Sequence, residues 1–302
     1  VLTHRFSGSI RRAYDKAAQT ALKKVIEYNG KKPDFLVAQC VLPAGRIARH
    51  LSKEKNIPYG VIDHFSFLEN IFNEQEKEVR AVYRDAHFIA AVSDELSDTI
   101  REFISADQNV ITLGNVLGRQ FEHKQSLKVK NNAQNCFKWL FVGPDQQKKG
   151  TDILQKALLQ MESTNWQLTI VGQGEFNHLK RASYGQKITH FTQLSRTEMV
   201  QCMQQHHALV STSRKETFGM ALLEMLSQGR PVVATRCAGP KELIKQQNGL
   251  LTDIESPTAV ATAMRQLMDN YDTYQKAKIR QSAIDNFGSR AFYGKFKQAL
   301  SQ

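Results

Sequence analysis

The segment Ala208-Leu-Val-Ser211-Thr-Ser-Arg-Lys-Glu216-Thr-Phe-Gly219-Met-Ala-Leu-Leu-Glu224 decides the fold. Its apolar start predicts a short buried strand, and the polar residues that follow predict a loop carrying Glu216. We predict that Thr217 caps a helix that begins near Phe218 and runs toward Gly229. A strand, a loop and a helix in this order are the repeating unit of a parallel α/β sheet.

The start of this predicted helix suits an anionic group. The first N–H groups of a helix have no partner within it, and the dipole is positive at that end. Glu224 lies about six residues into the helix, or roughly 9 Å along its axis. Glu216 and Glu224 would then stand at the two ends of a ligand whose phosphates lie between them. Acidic residues are common near helix starts, so the spacing alone is weak evidence for a nucleotide-linked substrate.

The residues downstream strengthen that interpretation. The run Gly229-Arg-Pro-Val-Val-Ala-Thr235 predicts a helix stop and then a buried strand. Residues 236–244 place another turn and helix start at the same edge of the sheet. Open α/β sheets bind ligands in the crevice outside the carboxyl ends of their strands, so we expect the functional site there.

Short apolar runs alternate with amphipathic stretches along the rest of the chain, which predicts two Rossmann-like, doubly wound parallel-sheet domains. Helices are expected at about 10–28, 43–55, 69–84 and 94–104, and amphipathic segments at Tyr274–Ile284 and Ser289–Leu300. The predicted strands are Phe35–Ala38, Tyr59–Asp63, Phe88–Val92, Val110–Leu113, Trp139–Val142, Leu168–Val171, Ile188–Phe191, Ala208–Ser211, Pro231–Thr235 and Gly249–Thr252.

The domain bounds follow from composition. The polar stretch Glu122–Asn135 is the best linker, which gives a first domain over 1–127, a second over 128–285 and a C-terminal helix over 286–302 that packs back on the first. The chain opens at Val1 and its first recognisable element is a helix, where a Rossmann-like domain normally begins with a strand and a glycine turn. We therefore expect a first domain that is incomplete at its N-terminus.

Composition narrows the class of protein without choosing a partner. The 302 residues include 41 Lys and Arg against 29 Asp and Glu, a formal net charge of +12. This balance fits anionic small substrates, an anionic membrane surface or nucleic acid. No apolar stretch approaches the ~18 residues that span a bilayer, although peripheral attachment stays open. The four cysteines have neither metal-ligand spacing nor a disulfide framework, and we interpret them as reduced core thiols of a cytoplasmic protein.

The block Glu216–Ile244 resembles the signature of the family 4 glycosyltransferases. Phe141–Gly150 is similar to the donor-phosphate loop of that family, and Ile170–Glu175 to its following glycine turn. The resemblance spans nearly the whole chain, and the block Glu216–Ile244 is its most specific part. It implies the GT-B fold, in which two Rossmann-like domains face each other across a cleft, and retaining transfer of a sugar from a nucleotide-diphosphate donor.

The resemblance also implies site residues. Glu216 would bind donor-sugar hydroxyl groups, Glu224 the ribose hydroxyl groups and Lys149 the diphosphate. His64, at the end of a first-domain strand, would face the sugar and the acceptor. The implied catalytic residues are thus Glu216, Lys149 and His64. The implied donor-binding residues are Gly143, Lys149, Gly172, Glu216, Phe218, Gly219, Met220 and Glu224. No metal or cofactor is implied, because the nucleotide sugar is the substrate.

The sequence departs from the family pattern in several places. Pro144 stands where the phosphate loop usually carries an arginine, which removes one of two cations for the diphosphate. Val37 and Gln39 replace histidines of the first-domain strand. The loop Phe191–Ser195 lacks the usual glycine.

The expected function is a cytoplasmic hexosyltransferase that extends a glycan or lipid-linked acceptor in polysaccharide biosynthesis, such as lipopolysaccharide or capsule, at the inner membrane face. A nucleotide-sugar epimerase or a phosphorylase of similar fold is an alternative. Epimerases lack the two-glutamate loop, and a pyridoxal-dependent phosphorylase needs a cofactor lysine in a much longer chain. A nucleic-acid-binding protein is a third alternative, but no clustered arginines, aromatic platform or recognition motif supports it.

Overall fold

The computed structural model of the chain describes residues 8–64, 68–104, 108–123, 136–161 and 165–301. These residues divide into two compact units. Unit 1 holds the chain up to Gly114 together with the residues from Lys295 onward, and unit 2 is Asn115–Gly294. The bounds 1–127, 128–285 and 286–302 stay predictions, and the junction at 127/128 lies outside the described residues.

Unit 1 is a four-stranded parallel sheet whose strands lie in chain order. The strands are short apolar runs, and the third is buried along its whole length, as a strand covered on both faces is. The strands are β1 (Leu36–Gln39), β2 (Tyr59–Asp63), β3 (Phe88–Ala91) and β4 (Val110–Thr112). The helices are α1 (Gly8–Asn29), α2 (Arg46–Lys55), α3 (Leu68–Arg84) and α4 (Asp94–Phe103).

A buried carboxyl group holds the turn that follows β1. Asp63, at the end of β2, is fully buried. Its Oδ1 accepts a hydrogen bond from the Val41 amide at 2.8 Å, and its Oδ2 accepts one from the Tyr83 hydroxyl at 2.6 Å. Burial raises the pKa of Asp63 to about 6, and the two hydrogen bonds oppose that rise. Both oxygens thus serve the fold.

Unit 2 is a six-stranded parallel sheet. Its order is β10-β9-β8-β5-β6-β7. The strands are β5 (Phe137–Val142), β6 (Trp166–Val171), β7 (Ile188–Phe191), β8 (Ala208–Ser211), β9 (Val232–Thr235) and β10 (Gly249–Thr252). The helices are α5 (Arg119–Glu122), α6 (Thr151–Leu159), α7 (Asn177–Lys180), α8 (Arg196–Gln205), α9 (Met220–Ser227), α10 (Ala238–Leu243), α11 (Pro257–Asp269), α12 (Lys276–Phe287) and α13 (Ser289–Leu300).

The order of the strands fixes where a ligand can bind. Chain order runs outward in one direction from β5 through β6 to β7, and in the other direction from β8 through β9 to β10. Chain order reverses between β5 and β8, so the carboxyl edge of these two strands is the switch point at which an open α/β sheet binds ligands. A core of inward-facing side chains, with Trp139, Trp166 and Met264 almost fully buried, holds the strands in place.

The predicted start of α9 is wrong. Thr217 is not the cap of α9: the helix begins at Met220, and Gly219 stands before it with φ 95°. This left-handed turn is one that glycine adopts without strain, and it delays the helix by two residues. The strand predictions fared better, because all ten strands are present and no bound differs by more than two residues.

The last helix crosses the division between the units. Its final turns belong to unit 1, where the Phe296 ring meets Phe88 edge-on with 5.9 Å between ring centroids. None of the described helices has the length and apolar character needed to cross a membrane. All four cysteines are free; Cys202 and Cys237 are buried, and Cys40 and Cys136 are half-buried.

Side-chain and backbone hydrogen bonds join the loop after β5 to the loop after β8. The Thr212 hydroxyl donates to the carbonyl oxygens of Lys149 at 3.1 Å and Gly150 at 2.8 Å. The Arg214 amide donates to the Lys148 carbonyl at 2.9 Å. Gly150 has φ 63°, and a Cβ there would lie 2.0 Å from the Thr212 carbonyl oxygen. Only glycine permits this approach, so Gly150 determines how near the two loops lie.

The side chain of Arg214 reinforces the same junction. Its guanidinium group binds the Asp152 carboxylate through two hydrogen bonds of 2.8 and 2.9 Å, and it also binds Glu255. Hydrogen bonds to these two carboxylates raise the pKa of Arg214. A planar guanidinium group suits such paired contacts, and this one joins α6, the β8 loop and the residues after β10.

We expect Gly150→Ala to lower the free energy of unfolding of unit 2 by about 3 kcal/mol, because it adds backbone strain and a clash with Thr212. Both tryptophans lie in unit 2, so their fluorescence during urea denaturation reports on that unit.

The matched control is Gly294→Ala in α13, where a Cβ meets no atom within 4 Å. It should leave stability unchanged or raise it by about 0.5–1 kcal/mol. Equal stability of the two variants would contradict the steric argument.

Candidate functional site

The predicted site residues of the second domain converge at the carboxyl edge of the unit 2 sheet. Backbone hydrogen bonds join the loops that leave its strands: the Gly143 amide donates to Val171 at 3.0 Å, and the Gly239 amide donates to Glu216 at 3.1 Å. These bonds bring the loops after β5, β6, β8 and β9 together. Functional groups from distant parts of the sequence therefore lie on one rigid edge.

Lys149 and Glu216 form an ion pair at this edge. The Lys149 ammonium donates to Glu216 Oε2 at 2.6 Å, and each side chain keeps about a fifth of its surface exposed. The aliphatic stem of Lys149 crosses Gly143, where a Cβ would lie 3.3 Å from Lys149 Cδ. A cation and a carboxylate are thus held together at the switch point, and the exposed part of each side chain can still contact a ligand. The structure brings Gly143, Lys149 and Glu216 together, and their roles stay predictions.

The N-terminus of α9 lies in the same loop region. Gly219 precedes the helix and its carbonyl accepts from the Leu223 amide at 3.0 Å. No side chain of the described residues caps this helix, so the amides of its first turn, beginning with Met220, are available to an acceptor. The positive end of the helix dipole adds to their attraction for an anion.

The phenylalanine of this loop plays a structural part. The Phe218 ring is buried and meets Phe287 edge-on at 5.6 Å between ring centroids. On the backbone side, a Cβ at Gly239 would lie 2.2 Å from the Phe218 carbonyl oxygen, so α10 packs directly against this residue. Phe218 can offer a ligand its backbone alone.

Glu224 is the fifth residue of α9, two places nearer the start than predicted, because the helix begins at Met220 and not near Phe218. Only 7% of its surface is exposed, and its Oε1 accepts a hydrogen bond from Arg196 Nη1 at 3.2 Å. Burial raises the pKa of Glu224 to about 7, and the positive charge of Arg196 opposes that rise. A carboxylate with few partners in a buried place is typical of a ligand-binding group.

Gly172 has a structural reason for lacking a side chain. A Cβ there would lie 1.9 Å from the Gly143 carbonyl oxygen, so the loop after β5 could not approach the loop after β6. The Gly172 carbonyl is also occupied, because His190 Nε2 lies 2.9 Å from it. Its predicted contact with the donor stays a prediction, whereas its support of the Gly143 loop follows from this geometry.

His64 belongs to unit 1. It follows β2, and its Nε2 lies 2.6 Å from Gln39 Oε1. Asp63, the residue before it, is fixed by the hydrogen bonds described above. His64 and Gln39 thus lie at the carboxyl edge of their own sheet. The role of His64 toward a sugar stays a prediction.

Three residues of this edge were not predicted from the sequence: Thr212, Arg214 and Arg196. Thr212 and Arg214 act through contacts with residues far away in the chain, and no local pattern reveals them. Arg196 had a signal, because Ser195-Arg-Thr-Glu198 matches a capping box and so places a helix start directly after β7. In the described ranges, no group of three or more His, Cys, Asp or Glu side chains could hold a metal ion.

Comparison with known proteins finds similar sequences for the part of the chain that forms unit 2. Residues 136–270 match the family model described as glycosyl transferases group 1. An uncharacterized glycosyltransferase of Methanocaldococcus jannaschii is 30% identical over 43% of this chain and 38% of its own length. The D-inositol 3-phosphate glycosyltransferase of Paenarthrobacter aurescens is 25% identical over 71% of this chain and 57% of its own. The chain therefore spans less than two thirds of either relative.

Solved structures share the fold at low identity. The lipopolysaccharide outer core galactosyltransferase WaaB superposes with a TM-score of 0.74 and 22% identity, over 99% of this chain and 82% of that one. The sucrose-phosphate synthase of Thermosynechococcus elongatus superposes with a TM-score of 0.78 and 16% identity, over 100% of this chain and 82% of that one. HepE of Anabaena, solved with UDP-glucose, superposes with a TM-score of 0.75 and 19% identity, over 95% of this chain and 81% of that one.

These likenesses show that the two parallel-sheet units are those of the GT-B glycosyltransferase fold. The family match lies within unit 2 and covers all six strands of that unit. Residues 136–270 of the chain are therefore similar to the glycosyl transferases group 1 family.

Proposed function

We propose that the protein is a retaining glycosyltransferase that moves a sugar from a nucleoside-diphosphate donor to a hydroxyl group of a glycan or lipid-linked acceptor. The observation that carries this proposal is the Lys149–Glu216 ion pair, held beside the uncapped N-terminus of α9. A cation, a carboxylate and an anion-binding helix end are the groups that a sugar diphosphate requires.

The diphosphate would lie between Lys149 and the first amides of α9. When the glycosidic bond breaks, negative charge grows on the leaving phosphate, and fixed positive groups stabilise that charge best. Pro144 leaves the β5 loop without an arginine at that position. Lys149 and the helix amides are therefore the groups to which we assign this stabilisation.

The two carboxylates would hold the two sugars of the donor. Glu216 would accept hydrogen bonds from the transferred sugar while it keeps its bond to Lys149. Glu224, deeper along α9, would accept hydrogen bonds from the ribose. In this arrangement neither is the acid or base of a glycosidase pair, because the departing phosphate takes the acceptor's proton on the same face. His64 would contact the sugar and the acceptor.

Several findings support the choice of substrates. HepE, a neighbour in fold, has been solved with UDP and with UDP-glucose. The relatives named above act on inositol phosphate or on lipopolysaccharide according to their names. These names favour a uridine diphosphate sugar as donor and polysaccharide biosynthesis as the process. The charge of +12 suits a cytoplasmic enzyme that works at the inner, anionic membrane face without nucleic acid or a cofactor.

Product analysis tests this proposal most simply. The protein is incubated with UDP-glucose, UDP-galactose or UDP-N-acetylglucosamine, with and without a glycan acceptor, and the products are identified by mass spectrometry. Transfer predicts UDP and an extended acceptor with the anomeric configuration retained. An altered sugar still attached to UDP indicates an epimerase, and a sugar phosphate formed with inorganic phosphate indicates a phosphorylase; either product would refute the proposal.

We expect Lys149→Gln to lower kcat for sugar transfer by about 100-fold, because the charge on the leaving diphosphate loses its nearest cation. Steady-state kinetics with a saturating acceptor measures this loss. Lys156→Gln, an exposed lysine of α6, is the matched control and should leave kcat unchanged. Similar kinetics for the two variants would remove Lys149 from the reaction.

Glu224 should also make stability depend on pH. Because its pKa rises from 4.5 to about 7 on folding, the folded protein holds the proton more tightly than the unfolded chain. The contribution of Glu224 to stability is therefore complete below pH 4.5 and is lost as the pH rises through about 7. This loss is at most about 3 kcal/mol.

Glu224→Gln cannot titrate, so its stability relative to the wild type should increase as the pH rises from 4.5 to 7.5. Urea denaturation followed by tryptophan fluorescence measures the difference at each pH, and subtraction cancels all other titrating groups. A difference that stays constant over this range would mean that burial does not raise this pKa.

A further inference from the structure

Arg196 reaches across from one helix to the buried carboxylate of another. It is the first residue of α8, and its Nη1 lies 3.2 Å from Glu224 Oε1 in α9. The two side chains differ sharply in exposure, at 75% for Arg196 and 9% for Glu224. A largely solvated cation is thus paired with a largely buried anion.

The start of α8 fixes where Arg196 lies. The Ser195 hydroxyl accepts from the Glu198 amide, and the Glu198 carboxylate accepts from the Ser195 amide at 2.7 Å, which completes a capping box. An arginine at the first position of a helix is disfavoured by the helix dipole. The ion pair with Glu224 offsets this unfavourable interaction with the dipole. The position of Arg196 is therefore better explained by its contact with Glu224 than by the stability of α8.

The ion pair leaves half of the carboxylate available. Within the described residues, Arg196 is the side chain that donates to Glu224, and it does so at Oε1. The described residues supply no hydrogen-bond donor to Oε2. A ligand with donors can use this oxygen, and two adjacent hydroxyl groups of a ribose are such donors.

We propose that Arg196 is a positioning residue for the nucleoside: its ion pair at Oε1 favours the carboxylate form of Glu224 and leaves Oε2 to accept hydrogen bonds from the ribose. This inference rests on the proposed function. It goes beyond the sequence resemblance, which assigned nothing to the loop after β7. Arg196 acts through Glu224 and needs no contact of its own with the reacting atoms.

The other charged groups near α9 form no ion pair with Glu224 in the described residues. Glu224 is the one charged residue of α9, and the positive charge of Arg196 lowers its pKa against the effect of burial. Arg280 of α12 binds the opposite end of α9 at the Ser227 carbonyl. The remaining charged residues of the helices packed against α9 are Arg119 and Glu122 of α5, Lys241 and Glu242 of α10, and Lys276, Lys278 and Asp285 of α12.

Loss of Arg196 should change how the affinity for the nucleotide depends on pH. With Arg196 present, the pKa of Glu224 is about 7, so the carboxylate is about half ionised at neutral pH. Without it, the pKa rises further, and a protonated Glu224 presents a donor to ribose hydroxyl groups. The nucleotide should then bind weakly at pH 7 and recover its affinity as the pH rises toward 9.

Calorimetric titration with UDP and with 2′-deoxy-UDP, from pH 6 to pH 9, tests this role. The two probes carry the same diphosphate, so the ratio of their affinities isolates recognition of the ribose from ionisation of the phosphates. For Arg196→Gln we expect this ratio to fall about fivefold at pH 7 and to return to the wild-type value near pH 9. Arg196→Lys keeps the positive charge and should retain most of the wild-type profile.

Two further variants define the limits of the experiment. Glu224→Gln should show a low ratio that does not change with pH. Arg181→Gln, an exposed arginine of the same unit, should behave as the wild type. Circular dichroism at each pH confirms that the variants are folded.

The outcomes separate this inference from the proposed function. If the wild type binds UDP and Arg196→Gln has the wild-type ratio at every pH, the role of Arg196 is refuted while the transferase proposal stands. If Arg196→Gln loses affinity equally for both probes at every pH, Arg196 contacts the diphosphate instead, which also refutes this inference. If the wild type binds no nucleoside diphosphate, the proposed function itself fails.

Discussion

The close contact between two loops at the switch point of unit 2 is the constraint on which the candidate site depends. Gly150 can approach the Thr212 carbonyl because it has no side chain, and the Thr212 hydroxyl then binds the backbone on both sides of that approach. This contact places Lys149 opposite Glu216. A longer distance between the loops would separate the cation from the carboxylate, and the anion-binding end of α9 would stand alone.

The two units use buried carboxyl groups in different ways. Asp63 of unit 1 has both oxygens occupied by donors from its own chain, so its raised pKa reflects a structural anchor. Glu224 of unit 2 is also buried and also has a raised pKa, but one exposed arginine is its partner. The number of internal partners, more than the shift itself, distinguishes a group that supports the fold from one that can receive a ligand.

Sequence reasoning succeeded where the signal was local. Each of the ten strands is a short apolar run between polar turns, and burial within a parallel sheet is what makes such a run a strand. The boundary of α9 was wrong, because a threonine two residues before the helix looks like a cap, whereas Gly219 takes the left-handed turn. The resemblance to a known family suggested roles for Lys149, Glu216 and Glu224 that spacing alone could not suggest, and these roles stay predictions.

Other features were beyond local reasoning. The ion pairs Lys149–Glu216, Arg214–Asp152 and Arg196–Glu224 join residues that are far apart in the chain, so only the folded sheet brings them together. Gly172 illustrates a related difficulty: it was predicted as a donor contact, and its neighbours show that the Gly143 loop already requires a glycine there. A glycine in a loop can serve backbone packing as well as a ligand.

Amide hydrogen exchange with and without saturating UDP is the measurement that tests the central claim most directly. The account predicts slower exchange in the peptides that contain residues 143–150 and 219–224, because the diphosphate binds the first turn of α9 and the nearby Lys149. Peptides from unit 1 strands should exchange at the same rate in both samples. Unchanged exchange in both site peptides, with UDP bound and protection elsewhere, would contradict it.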